Sequence, residues 1–420
     1  MDRFRIQGPT PLRGEVRAGG AKNAALPALA ASLLTDSPLD LEGMPHVRDI
    51  ETMRRLLAHL GVASRWDGDS LALAPDGPAS VDDAPYELVK TMRASVLVLG
   101  PLAARRGHAH VSLPGGCAIG VRPIDQHLAG LEALGAEVRL EHGYVEVTAR
   151  RLTGARFRFA MPTVTGTENV LMAAALARGT SVLENCAREP EIVDLARLLG
   201  GMGARIEGAG GETILVEGVA ELGGARHRII PDRIEGGTYL VGAALTGGDV
   251  RLVGTSPADL TPLPELLAAC GAEVEIGDST VRVVRQGALR PRDIVTAPFP
   301  GFATDLQAQY LALMTAAEGS ATIIETVFEN RMQHVAELAR MGADIRLDGR
   351  AARVKGPTRL SGARVMATDL RASACLVLAG VAAEGETEVE RIYHLDRGYE
   401  AMESKLAALG ARVERLRESG

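Results

Sequence analysis

Leu134-Gly135-Ala136-Glu137-Val138-Arg139-Leu140 closes a stretch rich in Leu and Ala with a glycine and then alternates apolar with charged residues. The glycine suits a left-handed helix C-cap and the alternation suits a half-buried strand, so the run reads as a helix end passing into a strand. The phrase recurs as Leu60-Gly61-Val, Met202-Gly203-Ala, Cys270-Gly271-Ala, Met341-Gly342-Ala and Leu409-Gly410-Ala, with 68 to 74 residues between successive glycines. Self-similarity at a fixed period predicts six copies of one structural unit.

A second landmark supports the count. Arg106-Gly-His-Ala-His, Arg178-Gly-Thr-Ser-Val, Thr246-Gly-Gly-Asp-Val, Glu318-Gly-Ser-Ala-Thr and Glu384-Gly-Glu-Thr-Glu each end a different helix in a Gly-containing turn that runs into another strand, and Thr35-Asp-Ser-Pro-Leu is the divergent first copy. Each unit is therefore expected to hold two helices and three or four short strands. Six such units are too few and too elaborate for a solenoid, whereas two groups of three make two domains of ordinary size. The change of group falls near Arg228-Ile-Ile-Pro231-Asp. Residues 21–229 are expected to form one domain, and residues 1–20 to return to a second made of 230–420.

Composition narrows the function. With 46% hydrophobic residues, 420 residues can fill large cores. Only 3% are aromatic and the net charge is -7, so base-stacking platforms are scarce and nucleic-acid binding is disfavoured. Apolar runs such as Ala24 to Leu34 fall short of a bilayer span, and no basic, cleavable leader follows Met1, so the expected location is cytoplasmic. The four cysteines (Cys117, Cys186, Cys270 and Cys375) show neither zinc-site nor disulfide-framework spacing. His108-Ala-His110 lacks further ligands at metal spacing and reads as two turn or strand-edge histidines; no metal is expected.

The starts of the first helices carry charge: Lys22-Asn23, Arg93, Glu168-Asn169, Glu235, Thr304-Asp305 and Thr368-Asp369-Leu-Arg371. Capping accounts for Thr, Asp and Asn at such positions. It does not account for Lys22, Arg93 and Arg371, which oppose the helix dipole and are better suited to an anionic ligand. Several cations with two carboxylates describe a site for a phosphate- and carboxylate-bearing substrate with acid and base chemistry. Gly19-Gly-Ala-Lys22 lacks the Ser or Thr and the glycine spacing of a nucleotide-triphosphate loop. Most specific is Leu113-Pro-Gly-Gly-Cys117-Ala-Ile-Gly-Val-Arg122-Pro123, a thiol among glycines with a cation five residues on. It reads as a hinged, reactive loop.

In series with these segments, Ala187-Arg-Glu-Pro-Glu191, Glu325-Thr-Val-Phe-Glu-Asn-Arg331 and Asp396-Arg397-Gly-Tyr-Glu400 make the chain resemble the UDP-N-acetylglucosamine enolpyruvyl transferase (1-carboxyvinyltransferase) family from Met1 to near its end. The resemblance implies an α/β fold of two inside-out barrels, each built from three copies of an α/β unit. It implies transfer of the enolpyruvyl group of phosphoenolpyruvate to UDP-N-acetylglucosamine, without metal or organic cofactor and with an induced-fit cleft. By the same resemblance Cys117 is the general acid and the site of a covalent adduct, open to alkylation by epoxides of the fosfomycin type, and Asp305 is the base. Lys22, Asn23, Arg122 and Arg397 hold phosphoenolpyruvate. Asn23, Arg93, Arg122, Pro123, Ile124, Asp125, Gln126, Asp305 and Val327 meet the UDP-sugar, with Arg331, Asp369 and Arg371 in support. Cations near Cys117 favour a nucleophilic thiolate over a proton donor, a tension that a moving loop would resolve. Two rivals stand beside this reading: a shikimate 3-phosphate enolpyruvyl transferase, which lacks the Pro-Gly-Gly-Cys loop, and a catalytically silent UDP-sugar sensor.

Overall fold

Six glycines punctuate the fold. In the computed structural model, which describes residues 2–75, 81–113, 120 and 124–417, Gly61, Gly135, Gly203, Gly271, Gly342 and Gly410 have φ between +86° and +106°. Nothing lies within 4 Å of where a Cβ would stand at Gly135, Gly203 or Gly410, so backbone conformation, not space, requires glycine there. Each glycine ends a helix (Arg48–His59, Asp125–Ala133, Pro190–Gly201, Leu263–Ala269, His334–Arg340 or Met402–Ala408) and turns the chain into a strand.

Every copy builds one four-stranded sheet of the same order. In the second copy Asp83–Ala84 lies parallel to His108–Ser112, and the hairpin of Glu137–Glu141 and Tyr144–Thr148 follows with Tyr144–Thr148 antiparallel to His108–Ser112. A parallel pair needs a long crossover, and the helix between its strands supplies it. Three sheets draw a strand from a distant part of the chain. Ala225–Arg228 runs parallel to Leu39–Glu42, and Arg13–Arg17 parallel to Asp249–Val253. Arg3–Gly8 lies between Gly385–Glu390 and Arg412–Leu416, antiparallel to both, so the last sheet is completed by the first strand.

Contacts divide the described residues into two compact units: one within Gly20–Gly116 and Arg122–Ile230, the other within Met1–Gly19 and Pro231–Gly420, together with Gly120. Each has three sheets and its own apolar core. In the first, the helix Val164–Ala175 meets both Lys22–Ala31 and Leu99–Arg106; in the second, Arg233–Thr246, Gln307–Met314 and Leu370–Ala382 all meet one another. These helices are buried nearly all round: every residue from Leu370 to Val381 is buried. A helix apolar on all faces belongs in a core, which is where the run Ala24 to Leu34 lies. The strands alternate, as in Val145 and Val147 buried between half-buried neighbours, and lay one face over the helices. Helices inside and sheets outside is the arrangement that the family resemblance implies. Neighbouring copies are also tied by polar atoms, since Asn169 Oδ1 accepts from the Gly100 N–H at 2.6 Å while its Nδ2 donates to Val96 O at 3.0 Å.

Candidate active site

Thr304-Asp305-Leu and Thr368-Asp369-Leu are the same words at comparable helix starts, yet the two carboxylates do different work. Asp369 is a cap: its Oδ1 accepts from the backbone N–H groups of Arg371 (2.9 Å) and Ala372 (3.0 Å) at the head of Leu370–Ala382. Asp305 sits in the 3-10 turn Thr304–Leu306, which has no side-chain cap bond. Its Oδ1 lies 2.7 Å from Arg331 Nη2, and its Oδ2 accepts from Arg371 Nε (3.1 Å) and Nη2 (2.8 Å). Both arginines are buried, at 6% and 3% exposure, while the Asp305 side chain keeps 23%. Burial works to raise the Asp305 carboxyl, but the Arg371 and Arg331 guanidiniums outweigh it and hold the group well below the usual carboxylate range. Arg371 also lies over the Tyr399 ring at 5.4 Å and Arg331 over Phe328 at 5.0 Å.

Near this pair, burial pushes the His334 imidazole down to about 4, with Asp369 opposing the fall and Arg331 adding to it. Arg397 ends the 3-10 turn Ile392–Arg397, half-buried. Val327, 38% exposed, donates its N–H to Glu325 Oε1 at 2.7 Å.

In the unit of residues 20–230, Lys22 opens the helix Lys22–Ala31 and reaches Asp49 Oδ2 at 3.1 Å; the two side chains are 11% and 5% exposed. Asn23 follows it, half-buried. Arg93 opens the 3-10 segment Arg93–Val98. His127 is pushed down to about 3, first by burial and then by Arg93. Ile124 precedes the helix Asp125–Ala133, Asp125 is exposed, and Gln126 Oε1 accepts from the Met161 N–H at 3.2 Å. Cys117, Arg122 and Pro123 lie outside the described residues.

Lys22 and Arg371, expected from their helix-start positions to suit an anionic ligand, each face a carboxylate of the chain, Asp49 and Asp305 respectively. Sequence reasoning also passed over Asp49, read Thr304 only as a helix start and gave Glu325 no role of its own. Glu325 opens one of the quoted segments, and a carboxylate at the end of an apolar strand was the available signal. His108 and His110 do lie on a strand, each facing an aspartate, with His108 Nδ1 2.6 Å from Asp82 and His110 Nδ1 2.6 Å from Asp83. Among the described residues no group of three His, Cys, Asp or Glu side chains could hold a metal ion.

The family model described as EPSP synthase (3-phosphoshikimate 1-carboxyvinyltransferase) matches residues 6–406. The chain belongs to this enolpyruvyl transferase family. Among its relatives, UDP-N-acetylglucosamine 1-carboxyvinyltransferase from Anaeromyxobacter sp. (strain Fw109-5) is 60% identical over 419 residues, 99% of either chain. The protein of that name from Anaeromyxobacter sp. (strain K) is 58% identical over 421 residues, covering 99% of this chain and 100% of the relative. Among solved structures, the enolpyruvyl transferase NikO from Streptomyces tendae superposes with a TM-score of 0.89 at 27% identity, covering 100% of this transferase and 99% of that chain. EPSP synthase from Acinetobacter baumannii shares the fold at a TM-score of 0.75 and 18% identity, over 99% and 100% of the two chains.

Proposed function

We propose that this enolpyruvyl transferase moves the enolpyruvyl group of phosphoenolpyruvate to the 3-hydroxyl of UDP-N-acetylglucosamine and releases phosphate. The carrying observation is 60% identity along 99% of the chain to a relative named for that reaction. In the mechanism, the Cys117 thiol protonates the methylene carbon of phosphoenolpyruvate and leaves the adjacent carbon electrophilic. The sugar hydroxyl attacks that carbon while Asp305 accepts its proton. Loss of a methyl proton and of phosphate then restores the double bond. A carboxylate held well below its usual range is ionised at any working pH and ready to accept a hydrogen bond from the hydroxyl. It is a weak base, so it takes the proton only as the new C–O bond makes that hydroxyl acidic. Lys22, Arg122 and Arg397 are assigned the phosphate and carboxylate charge of phosphoenolpyruvate, and Asn23 a further contact to it. Arg93, Pro123, Ile124, Asp125, Gln126 and Val327 line the UDP-sugar, and Asp369 supports by fixing the helix that carries Arg371.

The reading takes the protein as an enzyme of the cytoplasm acting on two small molecules in peptidoglycan synthesis. Among the described residues no helix is long and apolar enough to cross a membrane. Phosphate release from phosphoenolpyruvate should require UDP-N-acetylglucosamine; release with shikimate 3-phosphate instead would reassign the acceptor. UDP-sugar binding without release would leave a sensor.

Thiol labelling gives an independent check. Burial pushes Cys186 up to about 12 and raises Cys270 and Cys375 as well. Iodoacetamide should therefore modify one thiol per native chain, Cys117, with parallel loss of turnover. Peptide mapping that finds a different cysteine labelled would remove the acid from the mechanism.

A further inference from the structure

Glu325 follows the strand Gly319–Ile324 and is 1% exposed. Its Oε1 accepts from Thr296 Oγ1 (2.9 Å), the Val327 N–H (2.7 Å) and the Phe328 N–H (3.0 Å); its Oε2 accepts from Thr304 Oγ1 at 2.7 Å. The direction of every bond is fixed. Arg331 Nη1 donates to Thr304 Oγ1 at 2.8 Å, and a guanidinium cannot accept, so the one Thr304 proton goes to Glu325. Thr296 Oγ1 accepts from the Thr326 N–H at 2.9 Å and so also turns its proton toward Glu325. Four donors converge on one acceptor-only group.

We propose that Glu325 is a positioning residue that couples the base Asp305 to the loop carrying Val327. One oxygen acts through Thr304 and Arg331 on Asp305, and the other shapes the chain at Val327 and Phe328, whose ring lies against Arg331. The inference rests on the roles given to Asp305 and Val327 in the preceding section. A glutamine cannot replace this glutamate, although it has the same shape. Whichever way its amide turns, an NH2 faces either the Thr304 hydroxyl or the three donors at Oε1, and a buried donor is left without an acceptor. Bonds of this kind hold a reacting group within a fraction of an ångström, and a misplacement of about 1 Å can cost on the order of 100-fold in rate.

Phosphate release is measured for Thr304→Val, Glu325→Gln, Glu325→Asp and Asp305→Asn with each substrate varied in turn, alongside thermal midpoints. Thr304→Val is close in shape and breaks only the arm to Asp305; it is expected to lower kcat on the order of tenfold with little change in KM for the UDP-sugar. Glu325→Gln breaks both arms and is expected to lower kcat and raise that KM while the KM for phosphoenolpyruvate holds. Glu325→Asp, which remains acceptor-only, should recover part of the loss. Wild-type kcat in Thr304→Val overturns the coupling, even if the Glu325 variants fail to fold. So does Glu325→Gln that changes the thermal midpoint alone. Substantial turnover in Asp305→Asn marks a different failure, that of the base itself, and takes the coupling with it.

Discussion

His108 shows how a single side chain depends on its neighbours. Burial opposes its charge, but the hydrogen bonds that the ring donates to Asp82 and Glu146 outweigh it and leave the imidazole raised above its ordinary value. A group raised in the folded state adds stability that is fully present below the unfolded value of about 6.5 and is lost as pH rises through the folded value. The thermal midpoint of His108→Gln should therefore fall short of wild type near pH 6 and approach it at higher pH. A gap that stays constant with pH would refute the charge pairing. Asp305 and Asp369 mark the limit of reading at this scale. Their local words are identical, and what separates a cap from an ion-paired carboxylate is Arg371, 66 residues from Asp305 and in another copy of the repeat. Helix-start chemistry is local and was legible; the partner of a buried charge is a property of how repeats pack, and was not.

Among elements, the helix ends were the most legible because their requirement is local. A left-handed residue after a helix selects glycine whatever the helix packs against. Gly203, at φ +106° with nothing near its missing Cβ, isolates that cost. Gly203→Ala should destabilise by about 1 kcal/mol, as backbone strain without a clash. A shift of the urea midpoint several times larger would mean that a steric contact forms after all. The first strand of each sheet was the least legible element. Asp83–Ala84 and Ile294–Val295 are two residues long, too short for an alternation to register, and exist as strands because a parallel neighbour holds them. The count of three or four strands per copy, left open by the sequence, resolves to four for this reason.

In the whole molecule, two separate cores call for two unfolding events, and the protein carries a reporter for one of them. Trp66, the sole tryptophan, packs against the core of residues 20–230. Phe4 belongs to the other core, fully buried, with the Arg415 guanidinium 5.0 Å from its ring. Phe4→Ala should cost about 3–5 kcal/mol. Followed by circular dichroism, unfolding in urea should begin earlier, while the Trp66 fluorescence transition stays in place. Both signals moving together would show that the units unfold as one. Sixfold repetition made this architecture legible, since one misread copy is corrected by five others. A site assembled from single residues has no such redundancy.

The strand Arg3–Gly8 is paired on both sides by segments that begin at Gly385 and Arg412. On a ribosome, the first strand made must wait for the last ones. At roughly 5–20 residues per second the delay is on the order of tens of seconds, during which residues 20–230 have all emerged and can close on their own core. Throughout that interval Phe4 and Ile6 lack both their strand partners, and the polar residues Arg3, Arg5 and Gln7 that alternate with them disfavour pairing with another chain.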